Sequence, residues 1–111
     1  MGYQLGEPRK IIIVDQGETL GHYLKDLASE DWLGYQRTIA AFDGTDEGDR
    51  VRRQILTAYD TRAVKVEGYV YAPTGEDLMT ARPDDWKDYI PGNHKWAAMI
   101  ELINGGQLKK N

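Results

Sequence analysis

The 111-residue chain has few side chains of the types that carry most enzyme and metal chemistry. It contains no cysteine, and its only imidazoles are His22 and His94. These residue types matter because they titrate near neutral pH, attack carbon or phosphorus, or ligate metals. Neither histidine has a neighbour at metal-ligand spacing, so each is predicted to be a surface or interface side chain without a catalytic or metal-binding role. We therefore expect a binding or assembly protein that needs no cofactor.

An acidic segment over 43–54 is the most specific cation-binding pattern. An EF-hand loop requires oxygen ligands at its first, third and fifth positions, glycine at the sixth and a bidentate glutamate at the twelfth. Those positions hold Asp43, Thr45, Glu47, Gly48 and Gln54. Because an amide cannot supply the charged bidentate contact, we interpret the segment as a solvated connection between two helices and predict no metal site.

Three aspartates near the C-terminal half could supply the carboxylate pair of a glycosidase-type enzyme. They are Asp84, Asp85 and Asp88. All three follow Pro83 at a predicted helix start, where the positive end of the helix dipole accounts for acidic residues without any chemistry. A small enzyme that uses carboxylates alone stays open as an alternative function.

A basic cluster at Arg50, Arg52 and Arg53 could contact phosphates. It follows acidic residues, and the whole chain has a formal net charge of -4. This balance favours a solvated helix face with local ion pairs, because a nucleic-acid binder draws most of its affinity from Lys and Arg. No nucleic-acid partner is expected.

Length and composition predict one domain. With 41% hydrophobic residues, a chain of this size can bury one real core. We expect a single α+β domain over 1–106 and a polar C-terminal tail over 107–111. The chain lacks an apolar run of the length that spans a membrane, and its first ten residues do not resemble a signal peptide. The expected location is the cytoplasm, with no membrane partner.

The N-terminal half reads as a β-hairpin followed by two helices. A β-branched run over 9–15, a turn at Asp15–Glu18 and a second strand over 19–24 form the hairpin. Ser29 is the predicted N-cap of a helix over 30–42. Its apolar residues recur at spacings of three and four. A second helix is predicted over 49–60, with its apolar side formed by Val51, Ile55, Leu56 and Tyr59.

The C-terminal half reads as a further strand or hairpin followed by two short helices. Period-two alternation predicts a strand over 63–71, with Val64 and Val66 on one face, a turn over 72–75 and a weak return strand over 76–80. Gly68 interrupts the inward series and predicts a bulge or a close backbone approach. Short helices are predicted over 80–89 and 94–104, the second capped by Asn93.

Aromatic residues are numerous for one small domain, with three Trp and seven Tyr. Core packing accounts for some of them, and the rest would form an amphipathic contact surface, because Trp and Tyr dominate the energetics of protein interfaces. The predicted partner-binding residues are Trp86, Tyr89, Trp96 and Met99. For each of these residues, closing the core over the hairpin is an equal alternative.

The order of phrases along residues 9–104 resembles a known group of proteins. After the hairpin come "LKDLASEDWLGYQR", leading into a helix, then "VKVEGYVYAPTGEDL" and "DDWKDYIPGNHKWAAMIELI". This arrangement is similar to that of the small tail assembly chaperones of long-tailed phages and prophages. In those proteins a short β element leads through a leucine-rich phrase to a helix, and a "VEG" phrase with a glycine turn precedes the last helices.

The resemblance implies a function that needs no catalytic group. Such a chaperone binds the tape-measure protein of the growing tail, keeps its apolar helical surface soluble and leaves as tail-tube subunits polymerise. It would need an aromatic surface that receives an amphipathic helix. A structural virion component of the tail or head-tail connection, forming a fixed oligomer, is the main alternative. Either reading allows a homo-oligomer.

Overall fold

The computed structural model describes residues 6–40 and 46–105. Its elements, in chain order, are β1 (Arg9–Asp15), β2 (Glu18–Leu24), α1 (Ser29–Ala40), α2 (Asp46–Arg62), β3 (Ala63–Glu67), β4 (Val70–Tyr71), β5 (Glu76–Asp77), α3 (Leu78–Ala81), a 3-10 helix (Trp86–Tyr89) and α4 (Gly92–Ile103). Strands β1, β2 and β3 form one antiparallel sheet, and β4 pairs with β5 in a separate hairpin. The predicted α+β class is confirmed.

The N-terminal hairpin is closed by a two-residue turn at Gln16 and Gly17. Both residues have positive φ, 53° and 80° respectively, which is the backbone of the type I′ turn that matches the twist of paired strands. The register is continuous from Arg9 opposite Leu24 to Asp15 opposite Glu18. The hairpin predicted from the β-branched run is therefore confirmed.

A bulge in β3 changes which of its side chains face the core. The register with β2 shifts between Tyr23 and Leu24, so one extra residue of β3 is accommodated there. As a result Ala63 and Val66 are buried, whereas Val64 is 43% exposed. The predicted common face for Val64 and Val66 is wrong, because the bulge breaks the period of two.

The single strand predicted over 63–71 is divided at Gly68. This residue has a φ of +94°, and a Cβ placed on it would lie 2.7 Å from the carbonyl oxygen of Thr19. The close backbone approach predicted there is confirmed. Beyond it the chain leaves the sheet and enters β4, which forms its own hairpin with β5.

Helices α2 and α4 pack against each other, and α4 also packs against β1. In α2 the predicted apolar face is confirmed, because Val51, Ile55 and Tyr59 are buried while the arginine cluster is exposed. The core consists of Ile11, Leu24, Val51, Ile55, Ala58, Tyr59, Ala63, Val66, Leu78, Trp86, Ile90, Ala98, Met99, Leu102 and Ile103.

Helix α1 lies on the outside of this core. None of its residues is buried, although Tyr35 and Ile39 pack against the core as predicted. The helix is attached by Trp32 Nε1 and Gln36 Nε2, which donate to the carbonyl oxygen of Ile103 over 2.7 and 3.0 Å. Phe42, the last predicted apolar position of this helix, lies outside the described residues.

The segment between β5 and α4 differs from prediction. The expected strand over 76–80 ends at Asp77, whose carboxylate accepts a hydrogen bond from Met79 N over 3.1 Å and so begins α3. That helix ends before Pro83, because proline disfavours helical conformation in the residue preceding it. After Pro83 the chain forms the 3-10 helix Trp86–Tyr89 in place of the rest of the helix predicted over 80–89. Asn93 is not the cap of α4, since Pro91 occupies that place and its carbonyl accepts from His94 N and Lys95 N.

Candidate functional site

Four hydrogen bonds link five side chains through the interior of the protein. Tyr59 Oη lies 2.7 Å from His22 Nδ1, and His22 Nε2 lies 2.7 Å from Tyr69 Oη. Tyr69 Oη in turn lies 2.8 Å from His94 Nδ1, and His94 Nε2 lies 2.7 Å from Asp15 Oδ2. We call these five side chains the His–Tyr network.

Each member of the His–Tyr network comes from a different segment. Asp15 ends β1, His22 faces inward from β2, Tyr59 belongs to α2 and His94 to the first turn of α4. Tyr69 follows the close approach at Gly68, which redirects the chain toward the histidines. Bonded partners are 37, 47, 25 and 79 positions apart in sequence. The network therefore links the N-terminal hairpin to α4.

When each imidazole carries a single proton, the hydrogen-bonding capacities of the five groups fix the direction of every bond. An ionised carboxylate only accepts, so His94 Nε2 donates to Asp15. The Tyr69 hydroxyl then donates to His94 Nδ1, His22 Nε2 donates to Tyr69, and the Tyr59 hydroxyl donates to His22 Nδ1. Every contact then carries one proton. Among the described residues no buried side-chain nitrogen or oxygen lacks a hydrogen-bond partner.

Burial sets the protonation of the network. Burial, with a smaller contribution from the electrostatic interaction with His94, lowers the pKa of His22 to about 4. Burial also raises the pKa of the Tyr59 and Tyr69 hydroxyls above their ordinary value. At neutral pH His22 is therefore neutral and both phenols keep their protons, in agreement with the bond directions above. Such a network suits holding segments together better than delivering a proton to a substrate.

The predicted surface position of the two histidines is wrong. His22 is fully buried and His94 is 9% exposed, since each ring is enclosed by core residues and bonded within the network. A signal for this was present in the sequence. His22 alternates with Leu20 and Leu24 along a strand, and His94 falls on the helical face of Ala98 and Met99, so both lie on apolar faces.

The four predicted partner-binding residues do not share one surface. Trp86 and Met99 lie in the core, at 5% and 0% exposure, so neither is available to a partner in this structure. Trp96 is half-buried, and Tyr89 is 45% exposed. A protein-binding role for Tyr89 and Trp96 stays a prediction.

An open groove of about 310 Å³ lies at the surface where α2 and α4 meet. It is lined by Arg52, Leu56, Gly92, Asn93 and Trp96, and we call it the α2–α4 groove. Leu56 and Trp96 are only half-buried. The groove is open beside Gly92, where an added Cβ would meet only Leu56 Cδ1, at 4.0 Å.

The exposed ring of Tyr89 belongs to a second surface feature. It packs edge-on against Tyr71, with ring centroids 5.4 Å apart, and the Arg82 guanidinium lies within 6 Å of both rings. Arg82 also forms an ion pair with Asp85, which lowers the pKa of that carboxyl. The Asp85 carboxylate is thus held by this ion pair.

No protein-family model, curated protein or solved structure matches this chain. Its function must therefore be inferred from its own geometry.

The acidic segment over 43–54 does not form a continuous loop where the structure describes it. Residues 43–45 lie outside the described part, and from Asp46 onward the chain is helical through Gln54. Across residues 6–40 and 46–105, no group of three or more His, Asp or Glu side chains is arranged to hold a metal ion. Within the same ranges no helix is both long and apolar enough to cross a bilayer.

Proposed function

We propose that this chain is a non-enzymatic protein of phage tail assembly, a chaperone that holds the tape-measure protein by an apolar helical segment. The α2–α4 groove is the observation that carries the proposal. It is an open surface between two helices, floored by Leu56 and Trp96, with Arg52 and Asn93 contributing polar groups to its lining. Amphipathic helices bind in grooves of this kind through one or two large apolar anchors.

The character of the rest of the molecule supports a binding role. The two imidazoles are bonded into the His–Tyr network, and Asp85 is bonded to Arg82, so these candidate catalytic groups are already occupied. A net charge of -4 would keep a complex with an apolar partner dispersed. The phage assignment itself rests on the sequence resemblance over residues 9–104.

The groove can be tested by filling it without disturbing the core. Gly92→Leu adds a side chain whose Cβ meets only Leu56 Cδ1, at 4.0 Å, and whose remaining atoms can extend into the groove, so the fold should be kept while the groove is blocked. The chain is co-expressed with tape-measure and tail-tube proteins, and the recovered partner is quantified. We expect Gly92→Leu and Trp96→Ala each to reduce affinity by at least about thirtyfold, the cost of losing an interface anchor of about 2 kcal/mol.

Gly34→Leu is the matched control, because Gly34 is also helical and has nothing within 4 Å of an added Cβ. It should recover as much partner as the unmodified chain. If Gly92→Leu and Trp96→Ala remain folded and recover the partner fully, the groove is not the binding site. If even the unmodified chain recovers no tail protein, the chaperone proposal fails. Finding the chain as a stoichiometric part of purified tails would instead support a structural virion component.

A further inference from the structure

One edge of β1 has no strand paired with it in the described part of the chain. β1 lies at the edge of the three-stranded sheet, and within residues 6–40 and 46–105 it pairs only with β2. The strand is seven residues long, regular throughout and rich in isoleucine. Proteins usually protect such an edge with proline, a bulge, charges or a short strand. The opposite edge, β3, has a bulge and alternates charged residues, whereas the charged residues of β1 lie only at its ends and leave the four residues from Ile11 to Val14 apolar.

The hairpin turn determines which groups point outward. In an antiparallel pair, residues that exchange both backbone hydrogen bonds alternate with residues that exchange none. Asp15 and Glu18 flank the two-residue turn and form a hydrogen-bonded pair. Counting back from them, Ile13 and Ile11 also bond to β2. The N–H and C=O groups of the intervening residues, Lys10, Ile12 and Val14, therefore point away from the sheet.

We propose that β1 pairs antiparallel with β1 of a second copy of this chain, about a two-fold axis at Ile12. In this register Ile12 faces Ile12 of the second copy, and Lys10 faces Val14. The outward N–H and C=O groups of Lys10, Ile12 and Val14 then each face outward backbone groups of the second copy. This gives the full ladder that the strand can form and merges two three-stranded sheets into one of six strands.

Charge complementarity selects the same register. Centring the pair on Ile12 places Arg9 opposite Asp15 of the second copy at both ends of the ladder, and opposite charges directly across a strand pair are stabilising. Shifting the centre to Lys10 would place two lysines opposite each other. The exposed faces also fit. Ile12 and Val14 are 46% and 67% exposed, and pairing would place them beside Ile12 and Lys10 of the second copy, which would reduce that exposure. This interface is separate from the α2–α4 groove and independent of what binds there.

Cysteine cross-linking tests both the partner and the register, since the chain has no cysteine of its own. Two residues at position 12 would have Cα atoms about 5.5 Å apart in a hydrogen-bonded pair, within the range of a disulfide. Ile12→Cys should therefore form a covalent dimer on mild oxidation. Val14→Cys is the matched control. Its position is on the same face and more exposed, but it faces Lys10 of the second copy. Its cross-linking should therefore be slower than that of Ile12→Cys by at least about tenfold.

Sedimentation equilibrium completes the test. The unmodified chain should dimerise reversibly. Ile12→Pro should sediment as a monomer with an unchanged circular dichroism spectrum, because it removes an outward N–H that bonds to nothing in β2. The proposal is overturned if the unmodified chain stays monomeric up to about 1 mM, the weak end of measurable affinity. It is equally overturned if Ile12→Pro remains dimeric, or if Val14→Cys cross-links as fast as Ile12→Cys.

Discussion

At the scale of the residue, Gly68 controls how the chain leaves the sheet and reaches the His–Tyr network. Its φ of +94° is one that side-chain-bearing residues rarely adopt, and an added Cβ would lie 2.7 Å from Thr19 O. Gly68→Ala should therefore destabilise the fold through both strain and collision, by about 3 kcal/mol in chemical denaturation.

Gly75→Ala separates these two effects. Gly75 also has a positive φ, +75°, but nothing lies within 4 Å of an added Cβ, so its substitution should cost only about 1 kcal/mol of backbone strain. Equal losses for the two variants would show that the close approach to Thr19 has no energetic consequence.

Sequence reasoning predicted the role of Gly68 but not that of the histidines. A glycine within an alternating strand signals a local constraint on the backbone, which can be recognised from neighbouring residues alone. The partners of His22 and His94 are tyrosines and an aspartate that are 25 to 79 positions away. Local spacing therefore could not reveal that two polar rings on apolar faces would find hydrogen-bond partners inside the core.

At the scale of the element, α1 is the helix held most weakly. It buries no residue completely. Its side chains reach the rest of the protein through the bonds from Trp32 and Gln36 to the carbonyl oxygen of Ile103 and through an exposed ion pair between Asp31 and Arg62. Elements with little buried surface open locally at low free energy. We expect backbone amides of α1 to exchange with solvent deuterium faster than those of α2 and α4.

Removing the attachment of α1 should loosen it further. Trp32→Phe with Gln36→Leu keeps apolar side chains but deletes both donors to Ile103. Each such bond contributes about 1 kcal/mol, so amide exchange in α1 should accelerate by roughly tenfold or more, while exchange in α2 changes little. A uniform acceleration in all helices would mean that α1 does not open as a separate unit.

The boundaries of elements show where sequence patterns are sufficient. The hairpin and α2 follow their predicted ranges closely, because a turn signal or a long apolar periodicity specifies each of them locally. β3 and the segment after β5 do not. The bulge at Val64 depends on pairing with β2, and the helix predicted over 80–89 is divided by Pro83 after Asp77 has already begun α3. These features arise from contacts and caps that periodicity does not encode.

At the scale of the whole molecule, the His–Tyr network connects the sheet to both core helices. It reaches from Asp15, at the solvent-exposed end of the hairpin, to Tyr59, which is fully buried in α2. Its four hydrogen bonds, in the directions given above, require neutral His22 and protonated phenols. Protonation of His22 would place a charge in the core and leave Nδ1 and Nε2 both donating, so the Tyr59 hydroxyl would have to accept instead of donate.

This requirement predicts a specific loss of stability in acid. The pKa of His22 is about 4 in the folded protein, against 6.5 for an ordinary histidine. Between these values the unfolded chain binds more protons than the folded chain, so the free energy of unfolding falls as the pH is lowered. Over the window from about pH 6.5 to pH 4, His22 alone should remove about 3 kcal/mol. Urea titrations at several pH values measure this dependence.

His22→Gln is the control, because glutamine keeps polar contacts but does not titrate, while all carboxylates remain. The His22→Gln variant should be less stable than the unmodified protein at neutral pH. Its free energy of unfolding should also depend less steeply on pH between pH 6.5 and pH 4, by the contribution of one proton. Parallel pH profiles for the two proteins would show that His22 accepts a proton without disrupting the network.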